Sequence, residues 1–133
     1  MEPSELLAAK GPFIKPDGKD LKAEEIEKLF APLFYFTATI DGAEVPGKAA
    51  LLDSLASALK FPSYFGRNWD ALLDCLRSLP EFAPAKGYAL IIKNSSRFLK
   101  DSPEDLDNFK EIAETAADFL MEKYKVPLKI ILL

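Results

Sequence analysis

The chain has 133 residues, 49 % hydrophobic and 11 % aromatic, with 29 % charged residues and a formal net charge of −4. That is enough for one domain with a filled core, too short for two ordinary domains and too apolar for a disordered chain. Histidine is absent and cysteine occurs once, which removes the commonest general base and metal ligand, an internal disulfide and any cysteine-based zinc cluster.

The acidic balance argues against direct contact with nucleic acid, and no apolar stretch approaches the ~18 residues that span a bilayer. The opening Met1-Glu2-Pro3-Ser4-Glu5 has no basic region leading into an apolar run, so no signal peptide is expected. The expectation is a cytoplasmic protein that contacts no membrane.

Residues 1–19 read as a leader broken at Gly11-Pro12 and Pro16-Asp17-Gly18. Residues 21–30 fit a short helix with Ile26, Leu29 and Phe30 on one side, stopped by Pro32. Residues 33–40, Leu-Phe-Tyr-Phe-Thr-Ala-Thr-Ile, are aromatic and β-branched and predict the first strand. Asp41-Gly42 ends it, and no strand-like run follows to complete a hairpin. Residues 48–59 instead carry Ala49, Leu51, Leu52, Leu55 and Leu59 at helical spacing.

An aromatic loop follows, Phe61-Pro62-Ser63-Tyr64-Phe65-Gly66-Arg67, in which Gly66 is expected to supply a turn that a side chain would resist. Asn68 suits the N-cap of a helix over 69–79, with Leu72, Cys75, Leu76 and Leu79 as its core stripe and Pro80 as its stop. Cys75, between Leu72 and Leu76, reads as a small buried hydrophobe.

Residues 87–92 form a continuous apolar strand and 96–100 a turn of helix. The longest helix opens at Ser102-Pro103-Glu104-Asp105, with proline at its first position and acids in its first turn, and runs to about Tyr124. Residues 128–133 close the chain as a strand with almost no polar interruption. The order β, α, α, β, α, β predicts an α/β domain over 33–133: a small three-stranded parallel sheet covered by helices, preceded by an extension over 1–32.

The residues that carry chemistry are concentrated in 64–76. Asp70 and Asp74 lie four apart, so both carboxylates leave the same helix face. Like charges at that spacing cost an isolated helix about 0.2–0.5 kcal/mol. Asp70 recovers part of this from the helix N-terminus, whereas Asp74, a turn further on, recovers much less. Tyr64, Phe65 and Trp69 flank the acids with the residue types that dominate binding hot spots. A plainer arrangement competes with a binding face, because Arg67–Asp70 and Asp74–Arg77 are each spaced for ordinary surface pairs.

The run Tyr64-Phe65-Gly66-Arg67-Asn68-Trp69-Asp70-Ala71-Leu72-Leu73-Asp74-Cys75-Leu76 resembles the loop-and-helix signature of the barstar family of ribonuclease inhibitors. The aromatic pair, Gly66, Asn68 and the Asp-Ala-Leu-x-Asp-Cys-Leu order all match, and the element order over 33–133 matches in pattern. The resemblance implies that Asp74 is the main acidic anchor, filling a phosphate position in the active site of a secreted ribonuclease. It implies that Asp70 is a second acid and that Tyr64 packs over the nuclease's catalytic histidine. The resemblance also implies that Phe65, Gly66, Asn68, Trp69 and Leu73 belong to the same contact surface. Two departures stand out: Leu73 occupies a position where the family's best-known member has a contacting tryptophan, and the segment 80–86 is longer. A further acid from the last long helix has two candidates, Asp118 and Glu122.

The expected partner is therefore a basic nuclease, a ribonuclease in particular, met by a protein that is monomeric when free and uses no metal, cofactor or catalytic residue. The same domain reused for a non-nuclease partner is the alternative within the interaction class. An enzyme using Asp70 and Asp74 as an acid–base or metal pair would lack histidine, a phosphate-cradling glycine loop and a third clustered ligand.

Overall fold

In the run Gly87–Lys93 every position from Tyr88 to Ile92 is apolar and buried, so both faces of this strand need cover. The computed structural model, which describes residues 3–9, 11–16 and 21–133, supplies that cover from two directions. The expected break at Asp17-Gly18 lies outside the described residues. In chain order the elements are α1 Pro3–Ala8, β1 Phe13–Ile14, α2 Ala23–Phe30, β2 Tyr35–Asp41, α3 Lys48–Ala58, α4 Trp69–Arg77, α5 Leu79–Phe82, β3 Gly87–Lys93, α6 Pro103–Tyr124 and β4 Leu128–Leu132. Short 3-10 turns occupy Ala31–Leu33, Gly42–Glu44 and Ser95–Arg97.

The sheet is parallel throughout, in the order β1-β4-β3-β2. It has four strands, not the three expected. The fourth is the pair Phe13–Ile14, which joins the edge of β4 while the Pro12 carbonyl accepts the Ile130 N–H at 2.7 Å. A two-residue strand is too short for a periodicity to register in sequence.

On one face of the sheet, Ala38, Ile40, Tyr88, Leu90, Ile92, Leu128 and Ile130 form a single core with apolar residues of α3, α4 and α6. Each of the fully buried leucines there contributes roughly 1.5–3 kcal/mol over leaving it in water. On the other face, Ala89, Ile91 and Ile131 meet Leu6, Ile14, Ala23, Ile26 and Phe30 from the N-terminal segment. Leu6, Ile14 and the buried side of α2 thus roof the second face, and Phe30 stacks on Tyr35 with ring centres 4.9 Å apart. At Gly87 the Tyr35 side chain leaves no room for a side chain: a Cβ there would lie 2.5 Å from the Tyr35 ring.

The helix bounds follow local chemistry. Asn68 caps α4 by accepting the Ala71 N–H at 2.8 Å. α4 ends at Arg77, earlier than expected, and Pro80 does not stop it. Pro80 sits in the first turn of α5, where its missing N–H costs no hydrogen bond. α6 runs from Pro103, as its opening residues predict, and ends where Lys125 takes a left-handed backbone.

Candidate functional site

α4 is held by its inner face, where Leu72, Cys75 and Leu76 are buried and the helix packs along α6. Its register leaves the carboxylates of Asp70 and Asp74 on the outer face, both exposed. Among the described residues neither acid forms an ion pair. The surface pairs that sequence spacing allowed are not made. Arg67 turns to Asp53 on α3, in the only ion pair among the described residues, and Arg77 lies over the Phe119 ring of α6, 5.5 Å from its centre. Both arginines are thereby held off the acidic face.

The loop before α4 is fixed at its aromatic side. Phe61 packs edge-on against Phe65 at 5.0 Å and against Phe82 at 6.2 Å, and all three abut the main core. Tyr64 belongs to the same loop yet is 75 % exposed, the most exposed large apolar side chain among the described residues. Gly66 does not take the left-handed backbone. Arg67 does, with φ 50°, at a cost of about 1–2 kcal/mol for a residue with a side chain. The exposed ion pair with Asp53 offsets only part of that cost, and it ties the loop to α3. At Gly66 the constraint is space: a Cβ would stand 3.3 Å from the Asn68 amide nitrogen, which donates to the Gly66 carbonyl at 3.2 Å.

Trp69 and Leu73 are half-buried and pack against the core. The Lys48 ammonium stands 5.1 Å from the centre of the Trp69 ring, a cation–π contact between two segments far apart in sequence. Nothing in the local spacing around Trp69 announces it. The Cys75 thiol is buried at 3 % exposure, and burial pushes its pKa up, helped by the charge of neighbouring Asp74.

Of the two acids considered on α6, Asp118 borders a groove shared with Gly11, Pro12 and Lys129, on the side turned to the N-terminal segment. Glu122 follows Phe119, the residue beneath Arg77, by three positions and so shares its flank of the helix, nearer α4. Both are exposed.

Chemically, the arrangement is an aromatic and acidic face on a rigid support. Its carboxylates can accept charge-assisted hydrogen bonds from arginine or lysine. Among the described residues no group of three or more Cys, Asp or Glu side chains is placed to hold a metal ion, and no helix is long and apolar enough to cross a membrane.

Comparison with known proteins matches residues 35–132 to the family model described as Barstar (barnase inhibitor). The chain is also 33 % identical over 90 residues to a Bacillus subtilis (strain 168) protein named "Putative ribonuclease inhibitor YrdF", an alignment covering 65 % of this chain and 91 % of that protein.

Proposed function

The chain belongs to the Barstar family, and from that premise we propose that it is an inhibitor that binds a basic ribonuclease and blocks its active site with α4 and the loop before it. Asp74 is the principal anchor and Asp70 the second acid. Tyr64, Phe65, Gly66, Asn68, Trp69 and Leu73 make up the surrounding contact surface. The observation that carries this reading is the pair of exposed carboxylates without an ion pair among the described residues, beside a tyrosine that the core does not use.

A ribonuclease active site gathers cations to hold phosphates. Carboxylates on a rigid helix can occupy those positions while offering no bond to cleave. Complementary charge also raises the rate of encounter. The buried stripe of α4 and the Asn68 cap mean that little order has to be created on binding, which favours affinity.

One observation favours a partner shaped differently from the family's familiar nuclease. Leu73 packs against the core, and the aromatic on this helix is Trp69, one turn earlier. The same surface turned toward a non-nuclease protein is the second reading. The test is inhibition: the purified chain is titrated against a panel of basic ribonucleases with RNA cleavage as the readout. Stoichiometric loss of cleavage supports the inhibitor reading, and binding to other proteins with no inhibition of any ribonuclease supports the second.

A further inference from the structure

β2 is the outer strand of the sheet. β3 pairs one side of it, and among the described residues no strand pairs the other. Such an edge presents a row of unsatisfied N–H and C=O groups, the template for adding another strand. α2 and α3 lie on opposite faces and leave between them a groove of about 700 Å³, floored by Thr39, Ile40 and Asp41.

The walls are acidic. Glu24 and Glu27 line the groove from α2, Asp53 from α3 and Glu44 from the turn after β2, with Lys93 as the one cation lining it. The Thr39 hydroxyl donates to Glu27 Oε1 at 2.6 Å and holds that carboxylate at the rim. Asp53 already carries Arg67, while Glu24, Glu27, Asp41 and Glu44 have no ion pair among the described residues. At the start of β2 the edge turns apolar, with Phe34 74 % exposed beside Pro84 and Ala85.

We infer that the open edge of β2 takes up an extended, lysine- or arginine-bearing polypeptide segment as a fifth strand. Backbone groups of the edge supply the pairing, and the carboxylates supply the selection. The same acids disfavour a second copy of this chain, because its edge would bring an equally acidic rim against this one. A cationic segment reverses that sign. The groove lies along the sheet edge and not on α4, so the inference stands or falls separately from the ribonuclease reading.

The test follows backbone amides of the full isotope-labelled chain as a peptide of alternating lysine and threonine, about as long as β2, is added. The expected result is shifted and exchange-protected amides within Tyr35–Asp41. Charge reversal at the exposed Glu24 and Glu44 (Glu24→Lys with Glu44→Lys) is expected to weaken binding by about tenfold or more. N-methylation of alternate peptide residues, which keeps the charge and removes backbone donors, is expected to weaken it by a similar factor. Equal binding of the methylated peptide would mean charge attraction without strand addition and would overturn the proposal. So would shifts confined to Asp70 and Asp74, protection of β2 by self-association before any peptide is added, or no shift at millimolar peptide.

Discussion

Arg77 lies three residues beyond Asp74 and does not pair with it; its guanidinium rests over the Phe119 ring, 5.5 Å from the ring centre. This contact couples α4 to α6 and leaves the Asp74 carboxylate free of the nearest cation in sequence. A double-mutant cycle between Asp74→Ala and Arg77→Ala should accordingly give a coupling of no more than about 0.3–0.5 kcal/mol in folding stability. The cycle between Arg77→Ala and Phe119→Ala should give about 0.5–1 kcal/mol. A large first coupling would show that Asp74 is engaged in an internal pair.

Cys75 tests the orientation of α4. Its thiol is buried, and burial, with the charge of Asp74, raises its pKa. A thiol reagent should therefore label native protein slowly and unfolded protein fast, since the thiolate is the reactive form. Rapid native labelling would rotate α4 away from the position described. Because the folded-state pKa is raised, Cys75 contributes stability that is complete below the ordinary thiol range and is lost as pH rises through the raised value.

On the acid side the marker is Asp41. Its pKa is lowered by the hydrogen bond from the Asn94 amide and by the bond from the Ala43 N–H. The lowered value means that its contribution is complete above the ordinary carboxylate pKa and disappears as pH falls through the folded-state value. Asp41→Asn should flatten the fall in stability below about pH 4, measured by denaturant unfolding at a series of pH values. An unchanged slope would remove Asp41 from the acid-sensitive groups.

The roof over the second sheet face makes a separate prediction. Ile26 and Phe30 are fully buried against Ala89, Ile91 and Ile131. Ile26→Ala should cost about 2–5 kcal/mol. A loss no larger than the ±0.5 kcal/mol typical of surface changes would show that α2 does not pack on the sheet.

Three strands and the long helices were legible because their signals are local. The apolar run of β3, and that of β4 broken only by Lys129, demand cover on both faces, and Pro103 with acids in the next turn opens α6 where expected. β1 was not legible, since Phe13 and Ile14 become a strand only through the edge of β4 that accepts them. Sequence points to Gly66 as the residue of the aromatic loop where a side chain would be resisted, and the space there is indeed tight, yet it is Arg67 that takes the left-handed backbone, where Asp53 on a distant helix holds its side chain. Pro80 misled for a similar reason, since a proline that ends one helix can equally begin the next. At the site, helical spacing put Asp70 and Asp74 on one face, but it could not say whether Arg67 and Arg77 neutralise them. That outcome depends on Asp53 and Phe119, which reach the site only through the fold.

On the proposed function, raising salt should slow association with a ribonuclease that the chain inhibits more than it speeds dissociation, because screening acts on the long-range encounter of exposed charges. Stopped-flow rates at two ionic strengths check this. A salt effect confined to dissociation would count against electrostatic steering by Asp70 and Asp74.

The most direct measurement is a thermal melt and a ribonuclease binding titration on the same Asp74→Ala preparation. Removing the carboxylate should leave stability within about 0.5 kcal/mol of the parent, or raise it slightly by relieving repulsion with Asp70. Binding should weaken by about 2–5 kcal/mol, because the partner's desolvated cations lose their counter-charge. A melt that collapses while the ribonuclease stays bound would make Asp74 a structural residue and contradict the account.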